Sequence, residues 1–216
     1  MSIVSVLNPK GGCGKTTVIT NLARALHDRG HSVLLVDSDP QGSARDWHPA
    51  NEDNLIELVA LDRPNNAKTL ESMASNYDFV VIDGAATLED MIAATIKVSD
   101  FVLIPVQPSP YDIWAASDLV DFNKTRQEVT DSLPVAGFLV SLILEGTRLG
   151  GDVQAALDEY ALSVCDTTIT QRQVYAQTAS EVLTVFDADN AKAKAETLVL
   201  IDELIGMLAP ANRKVA

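Results

Sequence analysis

Glycine, lysine and threonine residues are concentrated near the start of the chain in an arrangement that could bind phosphate groups. Residues 10–17 read Lys-Gly-Gly-Cys-Gly-Lys-Thr-Thr. Glycines allow backbone N–H groups to turn towards an anion, and no Cβ blocks its close approach. We therefore predict a phosphate-binding loop, with Lys15 beside the outer phosphates and the Thr16 hydroxyl as a ligand of Mg²⁺. The residues predicted to contact the phosphates are Gly11, Gly12, Cys13, Gly14, Lys15, Thr16 and Thr17.

Aspartates follow two apolar runs further along the chain. Asp37 and Asp39 come after the apolar residues 33–36, and Asp83 follows residues 79–82. Such runs are typical of parallel strands covered on both faces, and carboxylates that follow these strands lie at the edge where α/β sheets bind ligands. We predict that Asp83 holds Mg²⁺ through water. The alternatives are an ordinary strand-end position for Asp83 and helix capping for the other two aspartates.

The glycine loop needs a strand before it and a helix after it, and the flanking sequence supplies both. Residues 3–7 are a short, largely apolar run, and residues 15–28 have the apolar spacing of a helix that Gly30 ends. We predict further strands over 33–36, 55–61, 77–83, 100–106 and 134–144, and helices near 43–48, 66–75, 88–98, 113–130, 152–163 and 190–208. This alternation, without repeats or a linker, predicts a single α/β domain over residues 1–216. It would contain one doubly wound, mostly parallel sheet with helices on both faces.

Composition narrows the classes of function. The 216 residues are 47% apolar, and no run approaches the roughly 18 consecutive apolar residues of a membrane helix. The two cysteines are not in a metal-ligand spacing, and the sequence begins with a strand rather than a signal peptide, so we expect a cytoplasmic protein.

The net charge of −14 argues against a broadly basic nucleic-acid-binding surface. A local DNA contact stays a hypothesis for a small basic cluster, with a solvated charged face as the alternative. This cluster contains Lys192, Lys194, Arg213 and Lys214.

The box from Lys10 to Thr17 resembles the deviant Walker A sequence of the ParA/MinD family of ATPases, although proline replaces one glycine of the standard pattern. The resemblance spans essentially the whole chain and implies ATP and Mg²⁺ as cofactors. It implies that Lys10 reaches across an ATP-bound homodimer to the partner's nucleotide. It also implies that Asp39 orients the attacking water and that Asp37 lies near the metal, which it would contact through water. The catalytic residues are then Lys10, Lys15 and Asp39.

Two later segments are similar to the small ParF-type members of that family. The proline-rich loop 107–112 resembles the segment that lines the adenine pocket and the dimer face, with a simple turn as the alternative. This similarity implies nucleotide contacts for Pro108, Ser109, Pro110 and Asp112. Residues 168–175 resemble a segment near the nucleotide and the partner subunit, where Arg172 could contact nucleotide, DNA or a carboxylate. The small partition ATPases have no separate DNA-binding domain, and none is expected here.

The resemblance implies a slow, partner-stimulated ATPase that dimerises on ATP, binds DNA without sequence preference and positions a cargo, with a nucleoid-associated location. Plasmid DNA, held through a centromere-binding adaptor protein, is the first hypothesis. A protein cargo such as carboxysomes or chemotaxis clusters is the second, and a P-loop small-molecule kinase or synthetase is the third. Pro210 and the few bulky apolar residues around it disfavour a MinD-like membrane switch. A nitrogenase-type iron protein is disfavoured because Cys13 lies inside the glycine loop.

Overall fold

The structure of the chain is a computed structural model, and it describes residues 1–48, 55–64, 67–86, 89–130, 132–147 and 150–212. Arg213 and Lys214, two of the predicted DNA contacts, lie outside the described residues, as does residue 66, where the helix predicted near 66–75 would begin. The strands are β1 (Ser2–Val6), β2 (Val33–Asp37), β3 (Glu57–Ala60), β4 (Phe79–Asp83), β5 (Phe101–Val106), β6 (Val135–Ile143), β7 (Ser163–Val164) and β8 (Ile169–Thr170).

Helices follow most of these strands along the chain. They are α1 (Lys15–Asp28), α2 (Ser43–Trp47), α3 (Ala67–Ala74), α4 (Glu89–Val98), α5 (Pro110–Trp114), α6 (Ser117–Glu128), α7 (Gly151–Asp158), α8 (Gln173–Ser180) and α9 (Ala191–Asn212), with a 3-10 turn at Val185–Asp187. None of the described helices is both long enough and apolar enough to span a membrane.

The strands form one sheet in the order β3-β2-β4-β1-β5-β6-β7, and β8 pairs with β6 beyond this path. Every strand pair that the structure describes is parallel, which confirms the predicted doubly wound sheet. β1 lies between β4 and β5, so the glycine loop emerges from the middle of the sheet. In the neighbouring strands Asp37 is opposite Asp83, and Asp83 is opposite Val6. The register therefore brings both aspartates to the edge from which the glycine loop leaves.

Both faces of the sheet are covered by apolar packing, because successive strand residues point to opposite faces. Phe101 and Leu103 of β5 belong to a core cluster shared with α1 and α9. Val102 and Ile104 belong to a second cluster on the other face, shared with α4, α5, α6 and α7. A third cluster of buried residues joins β2 and β4 to α3. This packing on both faces makes the sheet a rigid support for the loops at its carboxyl edge.

Two predicted helices differ most from the helices in the structure. The single helix expected over 113–130 is two helices, because Pro110 starts α5 early and Ala116 leaves the helical conformation with ψ near 0°. The break allows Ile113 of α5 and Val120 of α6 to pack into the same core cluster. The helix expected over 152–163 ends at Asp158, because the residues of β7 pair with β6 instead. The pairing of β7 with β6 is a long-range contact, and local apolar spacing cannot reveal it.

Candidate functional site

The glycine loop after β1 leaves an open space above its backbone. Gly12 and Gly14 have φ angles of +75° and +89°, in the left-handed region that favours glycine. A Cβ placed on either residue, or on Gly11, would meet no atom within 4 Å. α1 begins directly after Gly14, and no acidic residue lies in its first turn. The free N–H groups and positive end of this helix therefore face a space that can accept an anion.

Buried polar side chains of the sheet hold this loop in place. Asn8 donates from Nδ2 to Pro105 O at 2.7 Å, and its Oδ1 accepts a bond from Lys10 N at 2.7 Å. Ser141 of β6 donates from Oγ to Cys13 O at 2.8 Å. Sequence reasoning missed both Asn8 and Ser141. Their only signal is a small polar residue at a buried position within or directly after an apolar strand.

Lys15 and Cys13 also contact the loop backbone. The Lys15 ammonium donates to Lys10 O at 3.2 Å, and its side chain is buried with the loop wrapped around it. The Cys13 thiol donates to the same carbonyl at 3.3 Å, and burial raises the pKa of this thiol. Cys13 therefore remains a protonated packing residue. Lys15 thus holds its charge against the loop backbone, and its contact with the outer phosphates stays a prediction.

Lys10 forms an ion pair within its own chain. Its Nζ lies 2.7 Å from Asp112 Oδ1 on α5, and the two side chains are 43% and 9% exposed. The neighbours of Asp112 on this short helix are the exposed aromatic residues Tyr111 and Trp114, whose rings pack edge to face at 5.6 Å. The Lys10 amine is therefore already paired in the single chain, and this ion pair must open before Lys10 can reach a partner subunit as predicted.

Asp83 and Thr16, both predicted to bind the metal, are in direct contact. Thr16 Oγ1 donates to Asp83 Oδ2 at 2.7 Å, whereas the buried Asp83 Oδ1 has no hydrogen-bond partner among the described residues. Burial raises the pKa of this carboxyl to about 7, although the Thr16 bond opposes the shift. The described residues contain no group of three or more His, Cys, Asp or Glu side chains that could hold a metal ion. This suits Mg²⁺, which takes one or two carboxylates together with phosphate oxygens and water.

Asp37 and Asp39 differ in what their carboxylates contact. The buried Asp37 accepts bonds from Asp39 N at 3.0 Å and Arg45 N at 2.8 Å, and the Arg45 guanidinium lies 3.4 Å away. Burial raises the pKa of Asp37 despite these contacts. The bond to Arg45 N is a contact with the first turn of α2, which favours the capping alternative for Asp37. Asp39 is partly exposed and accepts a bond from Gln41 N at 2.9 Å. The water-orienting and metal roles of these two residues stay predictions.

A cavity of about 700 Å³ extends from the glycine loop towards the far end of β6. Its walls are the loop and first turn of α1, the end of β6, and the segment from β8 into α8. They contain Gly12, Gly14, Thr17, Val18, Ser141, Leu142, Leu144, Ile169, Gln171, Arg172, Gln173, Tyr175, Ala176 and Ala179. Pro108, Ser109, Pro110 and Asp112, predicted to contact the nucleotide, are not among these lining residues. A phosphorylated ligand on the loop would thus have room beside β6 and α8 for its remaining part.

The lysines predicted to bind DNA lie at the start of α9. Lys192 forms an ion pair with Glu145, its Nζ lying 2.6 Å from Glu145 Oε1, and both side chains are largely exposed. Lys194 is half-buried. The charge of Lys192 is thus partly compensated within the chain, and a DNA contact by these residues stays a prediction.

Comparisons with known proteins agree with this geometry. The family profile described as CbiA, the CobQ/CobB/MinD/ParA nucleotide binding domain, matches residues 4–208. The chain is 32% identical over 212 residues to the maintenance of carboxysome distribution protein A of Halothiobacillus neapolitanus, covering 94% of this chain and 95% of that protein.

Solved structures show the same fold. Apo McdA from Cyanothece has a TM-score of 0.80 at 17% identity, covering 95% of this chain and 99% of that one. MinD from Pyrococcus horikoshii, solved as a complex with Mg-ADP, has a TM-score of 0.74 at 20% identity, covering 96% and 98% of the two chains.

Proposed function

The chain belongs to the CobQ/CobB/MinD/ParA nucleotide-binding family, and we propose that it is a ParA-type ATPase that positions a protein cargo of the carboxysome kind. The observation that carries the choice of cargo is the near full-length similarity to a carboxysome distribution protein. It favours the alternative stated in the sequence analysis over plasmid DNA, which stood first there. An adaptor protein on the cargo would link the cargo to this ATPase, as the resemblance to ParA/MinD proteins implies.

ATP with Mg²⁺ fits the residues around the glycine loop. The backbone of residues 11–17 would hold the phosphates, with Lys15 enclosed beside them. Thr16 and the unpartnered oxygen of Asp83 would hold the metal. Mg²⁺ would then supply charge neutralisation at the outer phosphates. Asp39, at the rim of the same sheet edge, would orient the attacking water.

Dimerisation on ATP is the next part of the proposal. Lys10 is the most exposed charged group of the loop, and Tyr111 and Trp114 expose apolar surface beside its Asp112 partner. For Lys10 to reach a partner's nucleotide, the pair with Asp112 must open. A ligand that contacts both subunits would stabilise the dimer, and its hydrolysis would release it.

The dimer can be tested by measuring the mass of the chain in solution with ADP and with a slowly hydrolysed ATP analogue. We expect the wild type to be a dimer only with the analogue, and Lys10→Ala to remain a monomer and to lose hydrolysis. Asp112→Asn should dimerise at a several-fold lower protein concentration, since it frees Lys10. Lys124→Ala, an exposed lysine of α6, is the matched control. Wild-type behaviour of Lys10→Ala in both assays would contradict the cross-subunit role.

The cargo can be tested in the native cell with Lys15→Ala, which should abolish nucleotide binding. We expect the spacing of shell-enclosed protein assemblies to become irregular while resident plasmids are retained. Loss of plasmids with unchanged assembly spacing would replace the proposal by plasmid partition. Turnover that requires a small acceptor molecule, and does not rise with protein concentration, would favour the kinase or synthetase hypothesis instead.

A further inference from the structure

The far end of the cavity contains an arginine whose position is fixed from two sides. Arg172 Nη2 lies 2.7 Å from Glu196 Oε1 on α9, and its Nη1 lies 3.3 Å from Glu145 Oε2 after β6. Glu196 is itself held by the Thr170 hydroxyl, which donates to it at 2.7 Å. The guanidinium side chain is only 13% exposed and lines the cavity. Its orientation is therefore set before any ligand enters.

One N–H donor of this guanidinium has no acceptor among the described residues. Arg172 Nε is buried and has no hydrogen-bond partner among the described residues. An N–H group that is removed from water without a partner is unfavourable, and native structures contain few of them. The same side chain lines the cavity that also contains Gly12 and Gly14 of the glycine loop, so a ligand that fills this cavity would lie against the Arg172 side chain.

The charges around Arg172 indicate what kind of acceptor fits. Arg172 and Lys192 carry two positive charges, and Glu145 and Glu196 carry two negative charges, in one connected set of ion pairs. The set is formally neutral, so it does not add the positive charge that another phosphate would need. The apolar walls beside it, including Leu142 and Ile169, suit an uncharged ring system. A neutral nitrogen or oxygen acceptor on a nucleoside meets both conditions.

We propose that Arg172 recognises the nucleoside part of the bound nucleotide by donating a hydrogen bond from Nε, and that Glu196 positions it for this contact. This inference rests on the proposed function, because it assumes that the phosphates occupy the glycine loop. The sequence left nucleotide, DNA and a carboxylate open as contacts of Arg172. In this proposal carboxylates hold Arg172 in place and the nucleoside is its ligand, without a contact to DNA. The segment β8–α8 is then part of the substrate site.

The test compares the binding of ATP and of inorganic tripolyphosphate, both with Mg²⁺, by calorimetry. Arg172→Ala should weaken ATP binding about 10-fold, as expected for one charge-assisted hydrogen bond, and leave tripolyphosphate binding unchanged. Arg172→Lys should behave in the same way, because an ammonium can pair with Glu196 but has no donor at the Nε position. Equal weakening of both ligands, or of neither, by a folded variant would overturn the proposal.

Arg29→Ala is the matched control. Arg29 also ties α9 to the rest of the chain, through Asp202 at 2.6 Å and Leu198 O at 3.2 Å, but it does not line the cavity. It should change neither affinity, and thermal unfolding checks that all variants are folded. If the wild type itself binds tripolyphosphate but gains nothing from the nucleoside, Arg172 has no such role while the loop assignment survives. If the wild type binds neither ligand, the proposed function fails and this inference fails with it.

Analogues of ATP identify the acceptor atom. Deaza-ATP analogues each lack one ring nitrogen of the base, and 2′-deoxy-ATP lacks one ribose oxygen. The analogue that lacks the contacted atom should bind the wild type and Arg172→Ala with equal affinity. If the full 10-fold difference persists with every base and ribose analogue, the contact is not with the nucleoside and the proposal is wrong.

Discussion

The two ends of the cavity are built in different ways. The phosphate end, where we propose that the phosphates bind, is a continuous stretch of chain, residues 8–17, in which Asn8 and Lys15 are buried and Gly12 and Gly14 line the cavity. The nucleoside end, where we propose that the nucleoside binds, is assembled from β6, β8, α8 and α9, and charged side chains hold it together. The first depends on local backbone geometry and the second on contacts between distant segments. We expect tripolyphosphate to contact only the phosphate end, and ATP to contact both ends. Substitutions at the two ends should therefore change the affinities for ATP and for tripolyphosphate differently.

The largest effect is expected for Lys15→Ala at the phosphate end. This buried ammonium is the charged side chain enclosed by the loop, and losing its bonds to phosphate should reduce the affinity for ATP by about 100-fold or more. Tripolyphosphate binding should fall by the same factor, since the nucleoside is not involved. Calorimetry with both ligands measures this, and Lys124→Ala serves as the control. A loss confined to ATP would mean that the loop is not the phosphate site.

Sequence patterns predicted the phosphate end far better than the nucleoside end. α1 begins at Lys15 and ends at Asp28 as predicted, because its glycine boundaries and apolar spacing are local. Nucleotide contacts were predicted for Pro108 and Pro110 and stay a prediction, whereas the cavity that we propose for the nucleoside lies between β6 and α8. Which loop faces the glycine loop depends on strand order, and no local pattern encodes the pairing of β8 with β6.

The backbone conformation of Leu142 is another feature that the sequence pattern does not predict. It lies between Ser141 and Ile143, where the pairing of β6 with β8 is irregular, and its φ is +58°. Non-glycine residues adopt this conformation at a cost, and it often occurs at ligand sites. The apolar run predicts an ordinary strand, but the strand bends at Leu142, which lies in the wall of the cavity.

Asp83→Asn should separate stability from function at the phosphate end. The pKa of Asp83 is about 7 in the folded chain against an ordinary value of 3.8, so the folded state binds more protons between these values. Stability is then lost as the pH rises from about 4 to about 7, and asparagine removes this loss. Without nucleotide, the variant should unfold at a higher temperature than the wild type at pH 8, by roughly 2–4 °C per kcal/mol gained.

The difference between Asp83→Asn and the wild type should shrink towards pH 4, where the carboxyl of the wild type is protonated. Hydrolysis of ATP should fall steeply at every pH, because asparagine is a poor ligand for Mg²⁺. Asp118→Asn, an exposed acid of α6, is the control for the loss of one negative charge. A stability gain that does not depend on pH would show that packing, and not ionisation, causes it.

Ser141→Ala tests the point where the two ends meet. The Ser141 hydroxyl donates to Cys13 O of the glycine loop, and Ser141 also precedes the bend at Leu142. Its loss leaves a buried carbonyl without this donor, which should cost about 1–2 kcal/mol of folding free energy. We expect the affinities for ATP and tripolyphosphate to fall together, by roughly 3-fold to 10-fold, because the loop itself loosens. Ser180→Ala, an exposed serine of α8, should change neither affinity.

The smallest effect should come from Glu145→Gln at the nucleoside end. Glu145 is 60% exposed and lies farther from Arg172, at 3.3 Å, than the better buried Glu196 does, at 2.7 Å. Lys192 and Arg172 lower the pKa of Glu145, so both pairs exist at neutral pH. An exposed pair contributes little, and Glu196 still orients Arg172, so ATP affinity should fall less than about 2-fold. A loss from Glu145→Gln as large as that from Arg172→Ala would mean that the rim pair, and not Glu196, positions the guanidinium.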